Sequence, residues 1–341
     1  MNSVLFIKRI RWRQICLMFG LLLSCAMGSE ETCQCDEPRQ VRGDLLLIIG
    51  TPGTEEYHER FRQWGEKWIQ AADAGHLRVS SLGLKAEEAA TLDRIRKKIA
   101  DLANEKQTPL WIVLIGHGTF DGQSAKFNLP GTDLSPEMFK ESLASMSRPV
   151  AIIQCASASA PFLQALAAPG RVVITATNSG NEVNFSYFGQ YLAEAITHSA
   201  ADLDKDEQIS LLEAFLSATH QTEQFYRGDG RLASEHAVLD DNGDARPVSA
   251  EGFDGLHPIR RQDHQHLLPD GTVAHQWMLV PNVIDAGLSP EVIAARNELE
   301  LQISALQLAK SEMQTEDYYA ALELLFVQLA RLTLTSEQTV P

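Results

Sequence analysis

PLWIVLIGHG (109–118) and RPVAIIQC (148–155) are the two stretches of sequence that decide the fold. Each is a short apolar run, rich in β-branched residues, that ends in small or polar residues. Such runs are typical of strands that are buried on both faces of a parallel sheet. DLLLIIG (44–50) and RVVITATNSG (171–180) have the same character, and HLRVSSLG (76–83) is a weaker example. Together they predict one mostly parallel sheet.

Helical segments alternate with these strands along the chain. A strongly amphipathic segment covers residues 86–106, and SPEMFKESLASM begins with the N-cap residue Ser135 and with Pro136 at the first helical position. The alternation of strand and helix predicts an α/β fold with a doubly wound sheet and helices on both of its faces. We expect this domain to span residues 44–224.

The later part of the chain has a different character. Residues 225–286 are rich in Asp, Gly, His and Pro, and they predict a loop-rich appendage with short strands such as VAHQWMLVP (273–281). Residues 287–341 predict a C-terminal helical region. Its leucines fit either a helical hairpin that docks on the protein or a coiled-coil arm through which the chain associates with itself.

The first 24 residues resemble an export signal peptide. Basic residues precede an apolar run, 15–23, that is too short to cross a bilayer comfortably. Leu22-Leu23-Ser24-Cys25 resembles a bacterial lipobox, in which Cys25 would carry the lipid anchor, whereas Ala26-Met27-Gly28 resembles an ordinary cleavage site. An uncleaved anchor is the third interpretation. Residues 25–43 then form a flexible tether, and we expect the protein in a bacterial cell envelope, either lipid-anchored or periplasmic or secreted.

The composition argues against nucleic acid as a partner and identifies Cys155 as a candidate reactive thiol. The formal net charge of -16 argues against nucleic acid, because phosphates require concentrated Lys and Arg. Of the five cysteines, only Cys155 lies within the predicted folded body, and an unpaired cysteine in an exported protein is a candidate reactive thiol.

Two neighbouring predicted strands end in residues that could perform covalent catalysis. One strand runs into Gly116-His117-Gly118, and another runs into Cys155. The carboxyl ends of parallel strands meet at one edge of a sheet, so the imidazole and the thiol are expected to lie near each other there. A thiol that ionises and an imidazole that carries its proton are the parts of a cysteine nucleophile, and no cofactor is needed. The N–H groups of Gly118 and Cys155 could form an oxyanion hole.

Read in this order, the two motifs resemble those of the legumain and caspase clan of cysteine peptidases. In that clan an apolar strand leads to His-Gly, and a later one leads to a small or acidic residue and Cys. The resemblance covers residues 44–220 and is closest to bacterial legumain-like proteins, with GPI-anchor transamidase also similar. It implies a caspase-like fold with His117 and Cys155 as the catalytic dyad. Gln154 before the cysteine departs from legumain, as does Ala156-Ser157-Ala158-Ser159 after it.

The resemblance also implies a specificity pocket after the next strand. Asn178 and Ser179 stand at that place and are candidate substrate contacts, although polar residues are also ordinary in loops.

A separate acidic segment has the ligand spacing of a calcium-binding loop. Its candidate ligands, within residues 202–213, are Asp202, Asp204, Asp206, Gln208, Ser210 and Glu213. An EF-hand loop has twelve residues and ends in a bidentate Glu, which is Glu213 here. Glu207 stands at the sixth position, where a Gly normally makes the turn. Structural calcium is therefore one interpretation, and an acidic connection between two helices is the other.

These observations favour an exported cysteine endopeptidase that acts on peptides or proteins through a thioester. If an amine replaced water, the same site would be a transpeptidase. The alternative from another class is a non-catalytic, calcium-dependent binding or scaffold protein on the same fold.

Overall fold

The computed structural model describes residues 41–105, 108–259 and 268–337. The strands of its main sheet and of two small hairpins are β1 (Gly43–Ile49), β2 (Leu77–Leu82), β3 (Leu110–Ile115), β4 (Gly118–Phe120), β5 (Ala125–Phe127), β6 (Val150–Gln154), β7 (Arg171–Thr175), β8 (Val238–Asp240), β9 (Phe253–Asp254) and β10 (His257–Pro258). The helices are α1 (Glu55–Ala74), α2 (Leu92–Leu102), α3 (Pro136–Ser142), α4 (Ala160–Leu166), α5 (Phe188–Ala195), α6 (Leu211–Gly228), α7 (Val283–Ala286), α8 (Pro290–Ala309) and α9 (Thr315–Glu337).

The main sheet has the predicted parallel organisation. Its strand order is β2-β1-β3-β6-β7-β8, and every neighbouring pair in it is parallel except the antiparallel pair β7–β8. The order places the carboxyl ends of β3 and β6 side by side, with Leu114 opposite Gln154. The sequence-based prediction that His117 and Cys155 follow neighbouring strands is therefore confirmed.

Helices cover both faces of the sheet, which confirms the doubly wound α/β class. On one face α1, α5 and α6 pack around Trp68, Phe188 and Phe215. On the other face α2, α3 and α4 pack around a second apolar cluster that contains Ile95 and Phe139. The strands between these layers are apolar on both sides, as the continuous apolar runs in the sequence predict.

Some elements differ in detail from the sequence-based prediction. Strand β8 lies in the stretch expected to be an appendage, yet it completes the main sheet at its edge. The expected strand at 273–281 is a short 3-10 helix, Ala274–Gln276, with one isolated bridge from Met278 to Ser210. The helix expected from residue 86 is a 3-10 turn followed by α2, because the Thr91 side chain caps the backbone N–H of Arg94.

The C-terminal region forms the helical hairpin that was one of its two interpretations, with α8 and α9 packed against each other. Among the described residues, no helix combines the length and the apolar character that crossing a bilayer requires. The predicted signal peptide, Cys25 and nearly all of the predicted tether lie outside the described residues.

Candidate functional site

The candidate site lies where the parallel strands end. The segments that follow β1, β3, β6 and β7 meet at this edge, because these strands are adjacent and run in the same direction. The backbones approach closely there: a Cβ atom on Gly118 would lie 2.0 Å from the carbonyl oxygen of Ser157. A side chain larger than hydrogen therefore cannot replace Gly118 without moving the loop after β6.

His117 is half-buried at this edge and is held by one hydrogen bond and three aromatic rings. Its Nε2 lies 3.1 Å from the carbonyl oxygen of Pro52. Because a carbonyl only accepts, Nε2 carries the proton, and Nδ1 of the neutral ring is left as an acceptor. The ring of Tyr57 lies 4.6 Å away edge-on, and those of Phe61 and Phe185 lie 5.1 and 5.8 Å away. Burial lowers the pKa of His117, and the hydrogen bond to Pro52 partly opposes this shift.

Cys155 lies in the core rather than at the surface of the site. Its side chain is 1% exposed and belongs to the apolar cluster beneath α1, α5 and α6. A Cβ atom on Gly189 of α5 would lie 2.6 Å from Cβ of Cys155 and 3.1 Å from its Sγ. The backbone of α5 at Gly189 therefore packs directly against the Cys155 side chain. Burial raises the pKa of the Cys155 thiol to about 12, and the charge of Glu235 adds to this effect. Cys155 is therefore a neutral, enclosed thiol in this conformation.

The expected oxyanion hole is not assembled from these two residues. The Cys155 N–H donates to the Leu114 carbonyl oxygen at 2.9 Å, which continues the ladder between β6 and β3. The Gly118 N–H points to the hydroxyl of Ser157 at 3.4 Å, and that hydroxyl donates to the Gly118 carbonyl oxygen at 3.0 Å. An oxyanion hole needs donors that are free to face a substrate carbonyl, and both N–H groups are engaged in this conformation, so the role of Gly118 and Cys155 in such a hole stays a prediction.

Asn178 and Ser179 lie on an open groove beyond β7. The groove has a volume of about 530 Å³ and runs along α4, with Gly180 and Pro247 also on its walls. Asn178 is exposed, and its backbone N–H donates to the Glu182 carboxylate at 3.0 Å. The hydrogen bond from Asn178 to Glu182 therefore helps to hold the loop that carries Asn178 and Ser179.

Three functional candidates at this edge were not singled out in the sequence: Glu182, Glu235 and His236. Glu182 accepts the backbone N–H groups of Asn178 and His236, and its Oε1 lies 2.5 Å from Nδ1 of His236. Glu235 is 3% exposed. Burial raises the pKa of Glu235, although the hydrogen bonds that it accepts act in the opposite direction. Glu182 lies 54 positions before His236, and Glu235 lies 48 positions after Tyr187, so local sequence spacing does not reveal these two pairs.

The acidic loop brings three of its six predicted ligands together. One oxygen from each of Asp202, Asp204 and Asp206 lies within 4.8 Å of the others, which is close enough to hold a cation. Glu207 adopts the left-handed backbone conformation, with φ 69°, at the position where an EF-hand normally has Gly.

The other three predicted ligands are engaged elsewhere. Glu213 is buried and accepts the N–H groups of Leu203 and Ser210 at 2.7 and 2.8 Å, as part of a capping box at the start of α6. The Ser210 hydroxyl donates to Glu213 at 2.8 Å. The Gln208 side chain donates to Asp206 and accepts the Asn282 N–H. In this conformation the Glu213 carboxylate caps backbone groups, and its role as a bidentate calcium ligand stays a prediction.

Comparisons with known proteins find similar solved structures but no family. No protein-family model matches the chain, and no curated protein matches it. The initiator caspase Dronc of Drosophila is similar at 12% identity over 62% of this chain and 84% of that chain, with a TM-score of 0.44. A protein from Geobacter sulfurreducens matches at 10% over 58% and 92%, with a TM-score of 0.40. Caspase-1 from Spodoptera frugiperda matches at 12% over 60% and 87%, with a TM-score of 0.38.

The solved structures to which the chain is similar thus include caspases, at low identity. Likenesses of this strength assign neither an activity nor a specificity to this chain. The resemblance to bacterial legumain-like proteins stays a prediction, as do the roles of Cys155 and His117.

Proposed function

We propose that this chain binds a peptide or protein partner in the groove beside Asn178 and Ser179 without cleaving it. The observation that carries this proposal is the position of Cys155, which is 1% exposed and lies against the backbone of α5 at Gly189. A thiol acts as a nucleophile when it is a thiolate that reaches its substrate, and burial opposes both conditions. The groove, by contrast, is open, and both apolar and polar residues, among them Leu163, Asn178 and Ser179, line it at the edge where sheets of this class bind ligands.

The second candidate is the exported, legumain-like cysteine endopeptidase of the sequence analysis. It is favoured by the location of His117 and Cys155 after neighbouring strands and by the hydrogen bond of His117 Nε2 to Pro52, which leaves Nδ1 of the neutral ring as the acceptor. In this mechanism the Cys155 sulfur attacks the scissile carbonyl while its proton passes to His117. His117 then protonates the leaving amine as the thioester forms, and it later activates water. This candidate requires α5 to move away from the thiol, because Gly189 covers Sγ. Resolution of the thioester by an amine would make the same site a transpeptidase.

The predicted signal peptide supports an envelope location for either function, with Cys25 as the membrane tether and without a role for nucleic acid. The exposed apolar side chains of α9, which include Leu324 and Phe326, support self-association through the C-terminal region.

A degenerate, fluorescently labelled hexapeptide library tests binding against cleavage. We expect saturable binding to the parent protein and to Cys155→Ala with equal affinity, and no new products by mass spectrometry. Ser179→Trp should reduce affinity by about tenfold or more because the indole fills the groove, a loss typical of a contact residue at an interface. Ser145→Trp is the matched control, since Ser145 is exposed and is not among the residues that line the groove. Products that disappear in Cys155→Ala would overturn the proposal in favour of the endopeptidase.

We also propose that Ca²⁺ binds at Asp202, Asp204 and Asp206 and stabilises the folded protein. An ion that binds only the native state adds about 1.4 kcal/mol at a tenfold excess over Kd, and we expect a Kd of about 10⁻⁴ to 10⁻³ M. Millimolar Ca²⁺ should raise the unfolding temperature of the parent, and Asp204→Asn should remove this shift. Asp101→Asn, an exposed change on α2, should retain the shift. Equal behaviour of the parent and Asp204→Asn would mean that the loop only connects helices.

A further inference from the structure

A second cavity opens next to the groove, and Asn178 lines both of them. We call it the acidic cavity; its volume is about 140 Å³, and it lies between α6, the start of α5 and the segments that carry His236 and Glu251. A volume of this size corresponds to roughly ten water-sized spheres. It therefore has room for one long side chain of a ligand whose backbone occupies the groove.

The described walls of the acidic cavity carry acidic side chains. Glu223, Glu235 and Glu251 line it, and among the residues that the structure describes no Lys or Arg does so. His236 also lines it, but its Nδ1 is engaged by Glu182 at 2.5 Å. A ligand carboxylate or phosphate would meet three like charges here, whereas a cation would meet three opposite ones.

Among the described residues, the hydrogen-bond partners of the buried Glu235 carboxylate are neutral groups. One of its oxygens accepts the Tyr187 N–H and the Tyr226 hydroxyl, at 2.8 and 3.0 Å. The other accepts the Ser186 hydroxyl and the Phe188 N–H, at 2.5 and 3.0 Å. These groups orient the carboxylate without cancelling its charge, and among the described residues no basic side chain forms an ion pair with it. A buried carboxylate of this kind gains from a cation that enters beside it.

The remaining walls suit the aliphatic part of a long side chain. Phe188, Ala237 and Ala250 contribute apolar surface to the acidic cavity. Lys and Arg combine a stem of three or four methylene groups with a charged head, so they can place the stem against such surface and the head against the carboxylates. Within the described part of the chain, Glu223 forms an ion pair with Arg227 at 3.4 Å, and the Arg227 side chain is 73% exposed.

We propose that the acidic cavity binds a Lys or Arg side chain of the peptide partner. The proposal rests on the proposed function, because the peptide in the groove would deliver that side chain, and it defines the partner as a basic peptide.

The test uses the full chain and three labelled hexapeptides that differ at one position, which is Arg, its neutral isostere citrulline, or Glu. We expect the citrulline peptide to bind about tenfold more weakly than the Arg peptide, because a charged hydrogen bond is lost, and the Glu peptide to bind more weakly still. The double variant Glu223→Gln with Glu251→Gln should weaken the Arg peptide by about tenfold and leave the citrulline peptide unchanged. Glu141→Gln, an exposed change on α3, is the control for charge alone.

Equal affinities for the Arg and citrulline peptides would overturn the basic-side-chain proposal while leaving peptide binding intact. If no peptide binds, the proposed function fails. The cavity assignment is then tested separately, by measuring the binding of Nα-acetyl-arginine methylamide to the protein by calorimetry. If the parent protein binds this compound and the double variant does not, the cavity assignment is supported. If the parent protein shows no binding at a compound concentration of about 10 mM, the assignment is overturned.

Discussion

Cys155 is expected to react with iodoacetamide at least about 10³ times more slowly in the folded protein than in the chain unfolded in urea, at pH 8. The thiolate is the reacting species, and an ordinary thiol with a pKa of about 8.5 is roughly one-quarter ionised at this pH. Burial raises the pKa of Cys155 to about 12, which leaves a fraction on the order of 10⁻⁴ ionised. The covering backbone of α5 slows the reaction further.

Mass spectrometry of the Cys155 peptide after timed alkylation measures this rate, and the urea-unfolded chain supplies the reference. His117→Ala should leave the native rate unchanged, because Nε2 of His117 is bonded to Pro52 rather than to the thiol. Rapid native labelling that depends on His117 would contradict the enclosed thiol and favour the endopeptidase.

The burial of Cys155 also predicts how the free energy of unfolding changes with pH. Since the folded pKa of Cys155 is raised above the unfolded one, the protonated thiol contributes its full stability below about pH 8.5. That contribution is lost as the pH rises toward about 12. Between pH 8 and pH 10 the free energy of unfolding should therefore fall more steeply in the parent than in Cys155→Ala.

The sheet could be predicted from the sequence because its strands are apolar on both faces. The runs ending at Gly116 and Cys155 contain no alternation of apolar and polar residues, and only a strand covered by helices on both sides tolerates that pattern. Strand β8 could not be predicted in the same way. It has only the residues Val238–Asp240, and its place is set by antiparallel pairing with β7, which is more than sixty residues away in the chain.

The edge that carries the candidate site could also be predicted, but the direction of the Cys155 side chain was missed. Alternate residues of a strand face the same side, so Cys155 shares the face of Ala151 and Ile153, which belong to the core beneath α5. The sequence therefore contains the signal for the direction of the Cys155 side chain. It does not contain a signal for the close approach of Gly189, because that contact depends on how α5 packs on the sheet.

The acidic loop, residues 202–213, also has one feature that the sequence predicts and one that it does not. Its spacing correctly brings Asp202, Asp204 and Asp206 together, because these residues are close in the chain. The sequence alone could not reveal that Glu213 satisfies backbone N–H groups at the start of α6, because capping and ion binding use the same residue types at the same spacing.

Asp44→Asn is expected to destabilise the folded protein by about 3–5 kcal/mol. Asp44 is 1% exposed and forms a salt bridge with Arg148, which is itself buried, at 2.7 Å. The substitution leaves the Arg148 guanidinium in the interior without an opposite charge, and breaking a buried pair by removing one partner has an effect of this size. The remaining bonds of Arg148 go to neutral groups, among them the Thr108 and Pro109 carbonyl oxygens.

Urea unfolding of three variants separates the buried pair from its exposed neighbour. Arg78 also bonds Asp44, at 2.6 Å, but its side chain is 56% exposed, so Arg78→Gln should lower the stability by no more than about 1 kcal/mol. Asp44→Asn combined with Arg148→Met should recover much of the loss, because no unpaired charge then remains inside. Equal losses for Asp44→Asn and Arg78→Gln would contradict the argument. The pair lies at the amino end of β1 and the functional edge at the carboxyl ends of the strands, so the folded variants should bind peptides as the parent does.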